Sequence, residues 1–447
     1  MIALRHAVRI LLVTPLLVAT TATTATMTIA SQTKGIDSTD KARAKQMLAS
    51  IKDAIRNNYY DKAFRGIDLD AHFKLADVKL DSALSLGHAY AIIAQSLVDF
   101  GDSHTFFIPP NRSATYEFGW EMRVIGDRCF VVAVKPGSDA EAKGLKPGDQ
   151  LLKIEAFTPT RDTLWLARYL YYTLSPRNAL TIVAQSTGEQ PRTLSIGAKV
   201  TPGPKVVTIS VDDIIEGIPR GRDNASFVRR SRIGRVGDIA IWKLAGFDLD
   251  NQAIDRFADE ALKGTASLIL DLRGNPGGNA EVLERLTSRF FDKELKLGEL
   301  KGRRSMRSPV ARKRNSPFAG RLIVLVDAES ASASEVFARV VQLENRGLVY
   351  GDRSSGSVML SRQLVSAVES LDGVIMYGLS VTEADLVMAD GKSLERVGVT
   401  PDQVILPTSV DLRAGNDPVL AQAVTALGGT LDPSAAAKMF PVEWSSK

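Results

Sequence analysis

Four short, unbroken apolar runs constrain this chain most: IAIWKL (239–244), ASLILDL (266–272), RLIVLVD (321–327) and GLVYG (347–351). Each has the length of a strand and is apolar on both faces, as a strand must be when it is covered from both sides. Between the second and third runs lies NAEVLERLTSRFF, and between the third and fourth SEVFARVVQLEN, both with helical spacing. Strands that alternate with helices call for crossover connections, so residues 237–410 read as an αβα core around a mostly parallel sheet.

A chain of 447 residues is about three times the usual length of one domain, and the fold class is α/β and multidomain. Residues 37–113 read as a small helical domain, with Met47, Leu48, Ile51 and Ile55, then Leu84, Ala91, Ile92 and Leu97, in the spacing of amphipathic faces. Gly101 and the Pro109-Pro110 pair end it. Residues 114–200 carry short alternating strands around a turn-rich centre, 201–236 read as a linker, and 411–447 as a short helical tail that packs on the core or on a second subunit.

The balance of 56 Lys and Arg against 51 Asp and Glu is only modestly basic and calls for no nucleic-acid partner. The densest basic run, Lys301 to Asn315, has no interleaved aromatics for base stacking and reads as a solvated loop. Residues 1–30 have the form of a secretory signal peptide: Arg5 and Arg9, the apolar stretch Ile10 to Val18, then small residues to Ala30. That apolar stretch is too short for a membrane span, so the mature chain is expected outside the cytoplasm, in the periplasm or the exterior. The single cysteine, Cys129, sits in the strand-like RCFVVAV and reads as a buried apolar side chain. No His/Cys cluster has metal-ligand spacing, and neither a metal nor another cofactor is expected.

Two turns carry candidate chemistry. In LIVLVDAESASASEVF a strand passes through a serine-rich turn into a helix, where helix-end amides and the dipole favour an incipient oxyanion; serines there are also ordinary helix caps. In LILDLRGNPGGN a glycine-rich turn follows the preceding strand. Sites in parallel sheets gather at the carboxyl ends of strands, and the two turns together offer a hydroxyl and glycine amides. A serine needs a base, and beyond the signal segment the histidines are His72, His88 and His104. His72 and His88 lie in helical stretches, whereas His104 follows a helix break in GDSHT.

FGDSHTFF, DLRGNPGGN, ESASASEVFA and ERVGVTPD, in that order around residues 114–200, resemble the carboxyl-terminal processing (tail-specific) peptidase family, including its tricorn core branch. The likeness runs from about residue 40 to 408 and implies a core of the ClpP/crotonase type. FGWEMRV and PGSDAEAKGLKPGDQLLKI resemble a PDZ domain, whose carboxylate-binding loop falls on Phe118, Gly119 and Trp120; the implied partners are protein or peptide substrates held by their chain ends. By the family motif Ser332 is the nucleophile, with the amide of Ala333 and one of the Gly277-Gly278 pair as oxyanion hole. Ser330 and Ser334 are then turn and cap residues.

Tail-specific members use a lysine as base, but the corresponding stretch here reads RSSGSVML and puts Ser357 at the lysine position. The tricorn-like set of serine, histidine, serine and glutamate is present as Ser332, His104, Ser103 and Glu395, with Glu383 a weaker choice for the acid. The implied chemistry is serine peptidase acyl transfer, with His104 as base and Ser103 and Glu395 positioning it. The competing class is a non-catalytic binding protein or scaffold, since modules of interphotoreceptor retinoid-binding protein resemble the same fold.

Overall fold

The computed structural model describes residues 36–110, 114–202, 230–370 and 373–444. The signal-peptide segment and most of the 201–236 linker lie outside the described residues. Among the described residues no helix is long and apolar enough to cross a membrane.

Helices Ser38–Asn58, Leu69–Asp81 and Leu86–Val98 start at Asp37, Asp68 and Ser85, each accepting a first-turn amide. Their apolar faces meet in one cluster around Met47, Ile51, Ile55, Leu80 and Ile93. That cluster extends onto a second element, the long antiparallel hairpin Met359–Ser370 and Gly373–Val387, through Val368, Tyr377, Leu379 and Val381. The short strand Phe106–Ile108, which follows His104, pairs with Gly378–Ser380 of that hairpin. The helical unit and the hairpin therefore hold the histidine loop between them.

Residues 120–197 form a five-stranded antiparallel sheet with helical turns over Leu164–Leu174, around a core of Phe118, Trp120, Val131, Ile154, Leu180 and Ile182. Cys129 is buried in it, and burial pushes its thiol up to about 12, which leaves it unreactive.

Among the described residues the core sheet has six strands, spatially ordered Gln403–Val404, Leu348–Gly351, Arg321–Val326, Ser267–Asp271, Ile239–Lys243 and Arg232–Val236. All pair in parallel except the last, which is antiparallel. Helices Asn251–Leu262, Ala280–Thr287 and Ala333–Leu343 cover one face.

The opposite face is covered by the carboxyl-terminal segment: Val419, Leu420, Val424 and Ala436 pack on Ile239, Ile269, Ile323 and Leu325. Burying each such aliphatic side chain is worth about 1.5–3 kcal/mol, so this segment is a layer of the core. An ionic clamp fixes its start. Arg273 donates to both oxygens of Asp417, which caps helix Pro418–Ala426, and to both oxygens of Asp271, all at 2.8–2.9 Å. Burial opposes ionisation of Asp271, but Arg273 and Lys243 outweigh it and hold the carboxyl well below the usual range. In the basic run, Arg303 lies 5.1 Å over the Phe64 ring and donates to the Arg56 carbonyl, while Arg304, Arg307, Arg312 and Lys313 are exposed.

Candidate active site

Three adjacent parallel strands, 267–271, 321–326 and 348–351, deliver three loops to one sheet edge: 272–279, 327–332 and 352–358. Asn275 joins the first two. Its carbonyl accepts from the Ala331 amide at 3.0 Å and the Ser334 hydroxyl at 3.1 Å, while its side chain bridges the Leu244 carbonyl and the Gly277 amide at 2.9 Å each. Ser330, fully buried, donates to the Leu272 carbonyl at 2.8 Å.

Ser332 sits between these loops as the N-cap of helix Ala333–Leu343, half-buried, with φ 55° and ψ −117°. A positive φ in a non-glycine residue costs of order 1–3 kcal/mol and persists only where the surroundings over-determine it. Two acceptors do so here: the Ser332 amide donates to the Ser357 carbonyl and to Glu335 Oε2, each at 3.0 Å. The Gly277 backbone presses against this turn. A Cβ added there would lie 2.6 Å from Ser332 Cβ and 2.9 Å from the Ala333 nitrogen, so only glycine fits. The Gly277 amide is spent on Asn275, whereas no described hydrogen bond uses the amides of Gly278 or of Ala333, the first residue of its helix.

The third loop leads to the histidine. Val358 donates its amide to Glu395 Oε2 at 3.0 Å, and the Arg396 amide donates to the Gly356 carbonyl at 2.8 Å. Glu395 accepts from the Ser103 amide on Oε1 and from the Ser103 hydroxyl on Oε2, both at 2.8 Å. The same hydroxyl oxygen lies 2.7 Å from His104 Nδ1. A serine hydroxyl has one proton, and Glu395 takes it. Nδ1 must then carry a hydrogen and donate to Ser103 Oγ, which leaves Nε2 with the lone pair. His104 is buried, at 7% exposure, and these bonds put its ring in the tautomer a base requires. Burial raises the Glu395 carboxyl, and the Ser103 hydroxyl and Arg396 counter it. Glu383 instead pairs with Arg362 at 2.7 Å on the hairpin, so of the two glutamates it is Glu395 that meets Ser103.

Glu335, which the motif reading passed over, is fully buried beneath Ser332. It accepts four hydrogen bonds, from the Ser354 hydroxyl at 2.6 Å and the amides of Gly356, Ser357 and Ser332 at 2.7–3.0 Å. The S-x-x-E spacing of a capping box at Ser332 was its only signal in the sequence. Burial pushes this carboxyl up from 4.5 to about 7. A folded-state value above the unfolded one means the folded chain holds the proton more tightly. The group's contribution to stability is therefore greatest below about pH 4.5, falls by about 3 kcal/mol as pH rises to about 7, and is flat above. Urea melts between pH 5 and 8 should show this decline in the wild type and lose it in Glu335→Gln. Parallel slopes in the two proteins would refute it.

Phe118 and Trp120 are both buried in the core of their sheet, at 3% and 5% exposure, so any ligand at this loop meets its backbone rather than these side chains. The Gly119 backbone, at φ 73°, packs against Ser138. The strand that follows is tied to the serine loop: Arg123 lies 3.3 Å from Glu329 and 3.5 Å from Asp327. Arg168 donates to Glu329 at 2.7 Å and also to the Met122 carbonyl. His72 Nε2 donates to the Ser96 carbonyl at 2.8 Å and His88 Nδ1 accepts from the Leu84 amide, both inside the helical unit.

Residues 236–405 match the model of peptidase family S41. The chain is 25% identical over 382 residues to the chloroplastic C-terminal processing peptidase of Tetradesmus obliquus, covering 80% of this chain and 77% of that one. It is 23% identical over 426 residues to a probable CtpA-like serine protease of Staphylococcus aureus, covering 92% and 76%. Its fold matches the structure of mature CPAF complexed with lactacystin at a TM-score of 0.62, with 15% identity over 84% of this chain and 96% of that one.

Proposed function

We propose that this chain, whose residues 236–405 match the model of peptidase family S41, is a serine-type peptidase that hydrolyses peptide bonds through an acyl-enzyme on Ser332. Ser332 Oγ attacks the substrate carbonyl carbon while its proton passes to His104 Nε2. The carbonyl oxygen becomes an oxyanion facing the amides of Gly278 and Ala333, at the positive end of the Ala333–Leu343 helix. Collapse of the tetrahedral intermediate breaks the C–N bond, and His104 returns the proton to the leaving amine. A water, deprotonated by the same nitrogen, then releases the acyl group.

The observation that carries this reading is the Glu395–Ser103–His104 chain of 2.8 and 2.7 Å hydrogen bonds, since it fixes the basic nitrogen as Nε2. It also accounts for Ser357 in place of a lysine, because a histidine so oriented needs no second base. Residues 114–200 serve in this reading as a PDZ-like module that binds substrate chain ends through backbone amides near Gly119, supported by the antiparallel sheet and the adjacent helical turns. The signal-like segment at residues 1–30 supports export, to the periplasm or the exterior.

A fluorophosphonate probe should label the purified chain, and mass spectrometry should place the adduct on the peptide containing Ser332. A folded chain that takes no label would favour a binding protein over a peptidase.

A further inference from the structure

Asp102, the residue two before His104, is buried at 4% exposure yet has no part in the relay just described. It accepts four hydrogen bonds. Oδ1 takes the His104 amide at 2.9 Å, the Thr105 amide at 2.7 Å and the Thr382 hydroxyl at 2.7 Å; Oδ2 takes the Tyr59 hydroxyl at 2.9 Å. Tyr59 is fully buried at the end of helix Ser38–Asn58, and Thr382 lies on the long hairpin strand. The Thr105 hydroxyl closes the ring, donating to Thr382 Oγ1 at 3.1 Å and accepting from the Thr382 amide at 3.2 Å. Burial, with the Asp102 charge next, pushes the Tyr59 hydroxyl well above its ordinary value and keeps it a donor.

We infer that Asp102 is a positioning residue for catalysis, locking the His104 backbone to the helical unit through Tyr59 and to the hairpin through Thr382. The inference rests on the peptidase reading above. Ser103 and Glu395 fix the ring's tautomer and one of its nitrogens, but a ring also needs a fixed Cα from which to swing. Two of the four donors to Asp102 are the amides of His104 and the residue after it, so the carboxylate sets the path of the backbone at the histidine itself. The other two come from separate elements, so the amino-terminal helices act as part of the catalytic frame. Glu395 also feels the Asp102 charge, which places both carboxylates around one histidine.

A displacement of about 1 Å in a reacting group can cost on the order of 100-fold in rate. Fluorophosphonate labelling and peptide hydrolysis by Asp102→Ala should accordingly fall by on the order of 100-fold in kcat with KM little changed. Asp102→Asn is the conservative rescue. Its Oδ1 keeps the two amides and Thr382, its amide group can donate to the Tyr59 oxygen, and kcat should return to within about 5-fold of the wild type, at the order-of-magnitude level of lost hydrogen bonds. Tyr59→Phe, which removes one donor and little volume, should lose about 3- to 10-fold and serves if Asp102→Ala does not fold.

Wild-type labelling with an equal rate in Asp102→Ala or in Tyr59→Phe would overturn the inference. So would an Asp102→Asn protein that melts like the wild type but stays as slow as the alanine variant. Absence of labelling in the wild type itself would instead defeat the peptidase reading.

Discussion

Ser332→Ala should lower casein hydrolysis by on the order of 10⁶-fold in kcat, and His104→Ala should do the same. In the proposed mechanism the hydroxyl and the imidazole act in one step. Without the base, Ser332 Oγ must lose its proton to water; without the hydroxyl, the base has nothing to activate. The two losses therefore should not multiply, and the double variant should be about as slow as either single one, with residual turnover from the Gly278 and Ala333 amides. Stability should change little, because alanine at position 332 inherits the same φ of 55° and loses at most a capping hydroxyl, worth about 1 kcal/mol. Casein assays beside urea melts of the four proteins check both halves. A His104→Ala protein that keeps most of its activity would exclude His104 as the base, and a double variant much slower than both singles would mean that the two residues act in different steps.

What the sequence disclosed and what it withheld divide along a physical line. The four apolar runs lie side by side in the six-stranded sheet because each is written by its own side chains: a strand buried on both faces needs nothing but apolar residues. The helices at 280–287 and 333–343 likewise carry their own apolar faces and their own caps, Asn279 and Ser332. Ser103 and Glu395, by contrast, stand 292 positions apart. Nothing local in GDSHT or LERVGV says that the two will meet; the likeness of ordered motifs supplied that pairing.

The residues that escaped notice are those whose local meaning is ordinary. Glu335 looks like a helix-cap partner, and only the fold brings Ser354, Gly356 and Ser357 over it. Asp102 looks like a turn residue until Tyr59 and Thr382 arrive from other elements. The hairpin over 359–387 was hard to read because its alternation breaks at a register shift between Leu360 and Ser361, and one face is buried by a helical unit far off in sequence. The carboxyl-terminal helices Ser409–Ala414, Pro418–Ala426 and Pro433–Met439 are six to nine residues long, too short to show a clear period, and their place on the core is set by Arg273 gripping Asp417.

Glu395→Gln should cost on the order of 10⁴-fold in kcat, as expected where a triad loses the acid that fixes its histidine tautomer. Three donors converge on the two oxygens of Glu395: the Ser103 amide on one, the Ser103 hydroxyl and the Val358 amide on the other. A glutamine can present only one oxygen. If its amide group faces the Ser103 hydroxyl, the Val358 amide loses its acceptor, and the hydroxyl accepts from the glutamine and turns its proton towards His104 Nδ1, which then becomes the acceptor. Nε2 would carry the hydrogen and could no longer take the proton of Ser332. If the amide group faces the Ser103 amide instead, two N–H groups oppose each other in a buried site, at a cost of about 1–3 kcal/mol for the unsatisfied donor. Ser103→Ala removes the same link from its other end and should fall in the same range, whereas Glu383→Gln, on the hairpin with Arg362, should retain wild-type turnover. Nitrogen-15 spectra of the histidines separate the two effects: the wild type should show a protonated Nδ1 at His104, and the Glu395→Gln protein a shift towards protonated Nε2. Unchanged tautomer and unchanged kcat in Glu395→Gln would leave His104 oriented by something other than this relay.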